Sequence, residues 1–143
     1  REPLGSVTWE MLGGAKALVP EVDYRRAKYV LGEKDRVLAV CDALGKGDYE
    51  TVGAKMYETH WGMSKDYEVS CVELDFLAEV AKECGVTGCR VMGGGFGGCT
   101  INLVKDELYD NFVETAKAKF TAEFGHAPLV YDVVIGDGSR KLD

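Results

Sequence analysis

Five of the six residues from Gly93 to Gly98 are glycine, and Phe96 is the exception. Nothing else in the sequence constrains the fold as narrowly. Glycine reaches positive φ without steric cost, and it lets a neighbouring chain or a ligand come close to bare backbone. The flanks of the run are strand-like: Thr87 to Met92 is short and partly β-branched, and Cys99 to Val104 alternates Thr100 and Asn102 against Ile101 and Leu103. A hairpin turn needs far fewer glycines than this. Successive N–H groups in such conformations form a nest that favours anions, so a phosphate, or a loop that holds one, is the natural neighbour. The competing reading is a glycine-rich turn where two elements pack closely.

Two familiar nucleotide loops are excluded by context. Gly93, Gly95 and Gly98 match the spacing G-x-G-x-x-G, but the alternating Cys99 to Val104 follows where a dinucleotide site needs a helix. No Lys-Ser or Lys-Thr follows the glycines, so the run is not a P-loop, and no helix N-terminus binds an anion from this side.

Upstream, the apolar spacing is helical. A short amphipathic piece runs from Val7 to Leu12, followed by loop signals at Gly13, Gly14 and Pro20. From Asp23, residues Ala27, Val30, Leu31, Val37, Leu38, Cys41 and Leu44 predict a long helix stopped at Gly45. Asp48 is placed to cap a second helix that carries Val52, Met56 and Met63 and ends before Lys65 and Asp66. Ser70 and Glu73 have capping-box spacing ahead of Leu74, Leu77, Ala78, Ala81 and Cys84, with Gly85 as the stop. Beyond the two strands, Asp106 is read as the cap of a helix closed by Gly125, and Leu129 to Ile135 as a last strand. This order lacks a βαβ rhythm and predicts an α+β domain with a small antiparallel or mixed sheet.

Composition removes several function classes. The chain has 143 residues, 46% of them hydrophobic, enough for one domain with a real core. A net charge of -7, with Lys and Arg scattered along the chain, argues against nucleic acid as a partner. Five cysteines, Cys41, Cys71, Cys84, Cys89 and Cys99, form no C-x-x-C pair and fall mostly in apolar runs, the usage of a reduced cytoplasmic protein. His60 and His126 stand far apart, outside metal-ligand spacing with a cysteine pair. No apolar stretch approaches the roughly 18 residues of a membrane span, and no secretory signal pattern opens the chain. The opening Arg1-Glu2-Pro3-Leu4-Gly5 is the kind of start expected of a fragment whose true beginning lies upstream.

Arg90-Val91-Met92-Gly93-Gly94-Gly95-Phe96-Gly97-Gly98-Cys99-Thr100 resembles the third motif of the GHMP superfamily, the kinases for galactose, homoserine, mevalonate and phosphomevalonate. Two more collinear stretches resemble its galactokinase branch: Tyr24-Arg25-Arg26-Ala27-Lys28-Tyr29-Val30, and Asp66-Tyr67-Glu68-Val69-Ser70-Cys71 with Glu73-Leu74-Asp75. The resemblance covers roughly residues 24 to 135, and three collinear matches are far more specific than one glycine loop. Three departures stand outside the glycine run: Val72 where Pro is usual, Met92 where Thr is usual, and Trp61-Gly62-Met63-Ser64-Lys65 in place of a Ser-Leu-Arg-Asp pattern. Kinases of N-acetylgalactosamine tend to read Gly-Ala-Gly-Trp-Gly-Gly here, so Gly94 and Phe96 favour galactose.

The resemblance implies a GHMP kinase C-terminal domain, a ferredoxin-like sheet with several helices packed on it, spanning 23–136. Residues 1–22 are then a connection from an N-terminal domain, and 137–143 a loose tail. The implied reaction is transfer of the ATP γ-phosphoryl group to the anomeric hydroxyl of galactose, with magnesium bridging phosphates, a chemistry of positioning and charge stabilisation. The implied partners are the N-terminal domain of the same chain, ATP and galactose. In the family the first motif, the Gly-Leu-Ser-Ser-Ser phosphate loop, the catalytic Asp and its Arg partner belong to the N-terminal half, and this chain contains no Gly-Leu-Ser-Ser-Ser or Gly-Glu-His run. The chain alone is therefore expected to be inactive and to contain no catalytic residue. Gly93, Gly94, Gly95, Phe96, Gly97 and Gly98 are the candidate site residues, a loop beside the phosphates. The alternatives are a non-catalytic galactose and ATP sensor of the same fold, or an N-acetylgalactosamine kinase.

Other residues have plainer readings. Glu73 and Asp75 suit the first turn of a helix, where acids favour the dipole. His60 and Trp61 read as packing residues, and Arg25 and Arg26 as a solvated helix start.

Overall fold

The computed structural model describes residues 4–93 and 95–138. After a 3-10 turn at Leu4–Ser6 come the helices α1 (Trp9–Ala15), α2 (Glu21–Lys46), α3 (Tyr49–Lys65) and α4 (Val72–Glu83). Strands β1 (Gly88–Met92) and β2 (Cys99–Leu103) follow, and then α5 (Asp106–Phe124). The strands pair antiparallel from Gly88 opposite Leu103 to Met92 opposite Cys99, so the glycine run closes one end of the hairpin. This is the expected α+β architecture with a small antiparallel sheet, two-stranded among the described residues.

The expected caps hold at some helix ends and move at others. Asp48 caps α3, its carboxylate accepting from the Thr51 N–H at 3.0 Å. The long helix continues through Gly45 and stops at Gly47, whose φ of 68° gives the left-handed C-cap. Cys71, not Ser70, stands at the N-cap of α4 and makes no side-chain cap bond, and the Ser70 hydroxyl donates to Asp75. Likewise Lys105 precedes α5, and Asp106 is its first residue rather than its cap.

The expected strand at Leu129 to Ile135 does not form. Tyr131, Val133, Val134 and Ile135 are largely exposed. β-Branched residues favour a pleated surface but do not create one without a hydrogen-bonding edge to pair with. The segment is tied to the domain by the Tyr109 hydroxyl, which donates to Asp132.

Helices α2 and α3 pack side by side, α3 lies on β1, α4 contacts both strands, and α5 covers α4. The core joins Ala78, Val80 and Ala81 of α4 to Val86, Cys89, Phe112 and Ala116. Phe76, Phe120 and Phe124 form a ring cluster at the α4–α5 contact, with centroids 4.5 Å apart for Phe120 and Phe124 and 5.3 Å for Phe76 and Phe124. The α3–β1 contact is backbone on backbone: a Cβ at Gly53 would stand 1.9 Å from the Thr87 carbonyl oxygen. Among the described residues no helix is long and apolar enough to cross a membrane.

Candidate functional site

The glycine run leaves β1 in a conformation that ordinary residues avoid. Gly93, Gly95, Gly97 and Gly98 all have positive φ, from 77° to 119°, and Phe96 joins them at 57°. Gly94 lies outside the described residues. At Gly93, Gly97 and Gly98 a Cβ would meet nothing within 4 Å, so these positions face open space. Phe96 is exposed. The run therefore presents backbone free of side chains at Gly93, Gly97 and Gly98, which leaves room for a ligand to come close.

Its inner side is clamped by the segment from Asp66 to Cys71. The Phe96 N–H donates to the Val69 carbonyl oxygen at 2.8 Å. A Cβ at Gly95 would stand 2.0 Å from that same oxygen, so only glycine permits the approach.

The clamp is itself held from two sides. Arg25 and Arg26, expected to be solvated, both reach the Glu68 carboxylate, at 2.8 Å and 3.1 Å. Arg25 Nε also donates to the Asp66 carbonyl oxygen at 3.1 Å. The charge of Arg25, then the Arg26 hydrogen bond, holds the Glu68 carboxyl below its ordinary range. Glu68 has a φ of 62°, a second non-glycine residue in the left-handed region. Tyr67 packs against Tyr29 with ring centroids 5.4 Å apart. Burial, followed by the Glu33 charge, pushes the Tyr29 hydroxyl up to about 12.

On the other side stands Asp75, which does more than complement a helix dipole. Its carboxylate accepts from Ser64 Oγ and Ser70 Oγ, each at 2.6 Å. His60 is fully buried, as a packing residue would be, but it is also polar in function: Nδ1 accepts the Val91 N–H at 3.2 Å. Its Nε2 lies 3.2 Å from Asp75 Oδ1, close but without the alignment of a hydrogen bond. Trp61 packs edge-on to the His60 ring.

Sequence reasoning thus located the loop but missed the clamp. The signal available was the charge pattern: two arginines in the first turns of α2 and an acid in the short connection before α4. A concavity lined by Asp48, Glu50, Thr87 and Lys105 among others sits at the opposite end of the hairpin and is bridged by Lys105 and Glu50 at 2.9 Å. Among the described residues no cluster of His, Cys, Asp and Glu is suited to hold a metal ion.

Residues 41–121 match the family described as GHMP kinases C terminal, so the chain belongs to the GHMP kinases and matches their C-terminal domain. It is 40% identical over 141 residues to a galactokinase of Clostridium beijerinckii, covering 97% of this chain and 36% of the relative. It is 46% identical over 143 residues to a galactokinase of Homo sapiens, covering 99% of this chain and again 36% of the relative. The chain therefore spans about a third of the length of these relatives and aligns with their C-terminal part. Among solved structures, the Lactococcus lactis galactokinase complexed with galactose superposes with a TM-score of 0.81 at 30% identity, over 89% of this chain and 33% of that one. L. major mevalonate kinase in complex with R-mevalonate superposes with a TM-score of 0.62 at 25% identity, over 83% and 35%.

Proposed function

We propose that this chain is the C-terminal domain of a cytoplasmic galactokinase, and that the complete polypeptide transfers the ATP γ-phosphoryl group to the anomeric hydroxyl of galactose. The observation that carries the reading is the glycine run. Four of its glycines and Phe96 hold positive φ, its outer face is bare backbone, and its inner face is locked to Val69. Similarity to galactokinases along almost the whole chain supplies the sugar.

A phosphate chain fits this loop, since no side chain need move for it to approach Gly93, Gly97 or Gly98. Gly93 to Gly98 would line the nucleotide site and supply neither acid nor base. ATP provides the phosphoryl group and magnesium the charge neutralisation, both held mainly by the N-terminal domain. In this reading residues 23–136 form the domain, 1–22 connect it to the N-terminal partner, and 137–143 are a tail.

The test is a coupled ADP-release assay with ATP, magnesium and galactose, on the full-length polypeptide and on residues 1–143 side by side. Turnover by the full-length protein alone is the expected result. Binding of galactose and ATP by the full-length protein without turnover would replace the reading by a sensor, and preference for N-acetylgalactosamine would change the substrate.

A further inference from the structure

The glycine run is approached by two polar routes that share one origin, one made of hydrogen bonds and the other passing through the close His60–Asp75 contact. Asp75 Oδ1 accepts from Ser70 Oγ at 2.6 Å, and the residue before Ser70 is Val69, whose carbonyl oxygen holds the Phe96 N–H. The same Oδ1 lies 3.2 Å from His60 Nε2, and His60 Nδ1 accepts the N–H of Val91, two residues before Gly93. One route ends in the middle of the run and the other at its base.

The His60 route sits at a position where backbone pairing is unavailable. Among the described residues β1 has a strand neighbour on one side only, β2, and the Val91 N–H is directed at α3 instead. Val91 is 1% exposed and His60 0%, so water cannot serve this donor. A buried N–H without an acceptor is costly, and the imidazole removes that cost. Because Nδ1 accepts, the ring proton belongs on Nε2, facing the carboxylate. A neutral imidazole suits the place because it carries an acceptor on one side of a rigid ring and a donor on the other.

We propose that His60 and Asp75 are positioning residues for the glycine run, a buried imidazole and a partly exposed carboxylate that fix the strand leading into it relative to the segment gripping its centre. Neither touches the outer face where phosphate would lie. The proposal rests on reading that face as the nucleotide side of a GHMP kinase, and it deepens that reading by naming what sets the loop's geometry.

The experiment uses the full-length polypeptide, with His60→Ala, His60→Asn, Ser70→Ala and wild type compared by site-resolved amide hydrogen exchange and by steady-state kinetics. Long-range proton–nitrogen correlation on the wild type identifies the tautomer without any substitution, so the proposal remains testable if an alanine variant fails to fold. The expected tautomer has a bare Nδ1. In His60→Ala, exchange at Val91 and Phe96 should rise by about tenfold beyond any change elsewhere in the domain, the scale of one lost hydrogen bond. KM for ATP should rise with it. His60→Asn, which restores an acceptor near the Nδ1 position, should recover most of the Val91 protection. Ser70→Ala should free Phe96 while leaving Val91 protected.

A uniform rise in exchange with no excess at Val91 and Phe96 would reduce His60 to a packing residue and overturn the proposal, as would a proton on Nδ1. Absence of wild-type turnover would overturn the kinase reading alone, since the exchange pattern and the tautomer decide the positioning claim by themselves.

Discussion

Phe96 and Val69 are joined by a single backbone hydrogen bond of 2.8 Å, and the residue before Phe96 passes so close to that carbonyl that it has no room for a side chain. Gly95 and Gly97 both have positive φ, but a Cβ at Gly97 would meet nothing within 4 Å. Alanine at Gly97 therefore brings backbone strain alone, about 1–3 kcal/mol. Alanine at Gly95 adds a collision with Val69. Gly95→Ala should cost the full-length enzyme more activity and more stability than Gly97→Ala, and valine should worsen both. Equal kinetics for the two alanine variants would contradict the clamp.

Gly53 sets the spacing of α3 on β1. A Cβ there would stand 1.9 Å from the Thr87 oxygen and 2.9 Å from the Thr87 methyl, and backbone cannot give way as a side chain can. Gly53→Ala is expected to destabilise the domain by about 1–3 kcal/mol, as overpacking does. Urea unfolding at constant m-value is the measurement, and a midpoint unchanged from wild type would be inconsistent with the contact.

Burial holds the His60 imidazole below its ordinary value of 6.5, with Lys65 acting the same way and Asp75 opposing. The unfolded chain then takes up a proton on this residue before the folded chain does. Stability from the neutral ring is complete above pH 6.5 and falls as pH drops through that value towards the lower folded pKa. Unfolding midpoints of wild type minus His60→Asn, measured between about pH 7.5 and 5.5, should decline towards the acid end. A flat difference would mean that the ring titrates alike in both states.

Phe120 is 4% exposed and touches Phe76 and Phe124, with centroids at 6.2 Å and 4.5 Å. Phe120→Ala leaves a cavity between α4 and α5 and should cost about 3–5 kcal/mol, with Phe120→Leu costing clearly less. Calorimetry or denaturant unfolding reads the difference. None of the three rings is among the residues that grip the glycine run, so KM for ATP in the fraction that remains folded should not change.

Much of the architecture was legible because helix periodicity and capping are local. Asp48, Gly85 and Gly125 marked helix ends correctly, and the change from a 3.6-residue to a 2-residue period found both strands of the hairpin. The misses share a cause. Gly45 and Gly47 are equivalent to a local rule, and which one stops the helix depends on where Ala43 and Leu44 find their partners. Ser70 has the spacing of a capping box, but its hydroxyl is taken by Asp75 five residues on. Leu129 to Ile135 has strand composition, but a strand exists only where another edge accepts it.

By itself the sequence determined the order of helices and strands, the position of the glycine run and, through its collinear motifs, the family. Each of these is written in neighbouring residues, whose spacing fixes φ, caps and periodicity. The tertiary structure alone decided what the glycine run leans on. Val69, His60, Asp75 and the two arginines lie 20 to 70 residues from Gly95 in sequence, and their meeting depends on α3 lying flat against β1. Side-chain chemistry at that distance is set by packing, because a buried donor such as the Val91 N–H is satisfied by whichever acceptor the fold brings within reach.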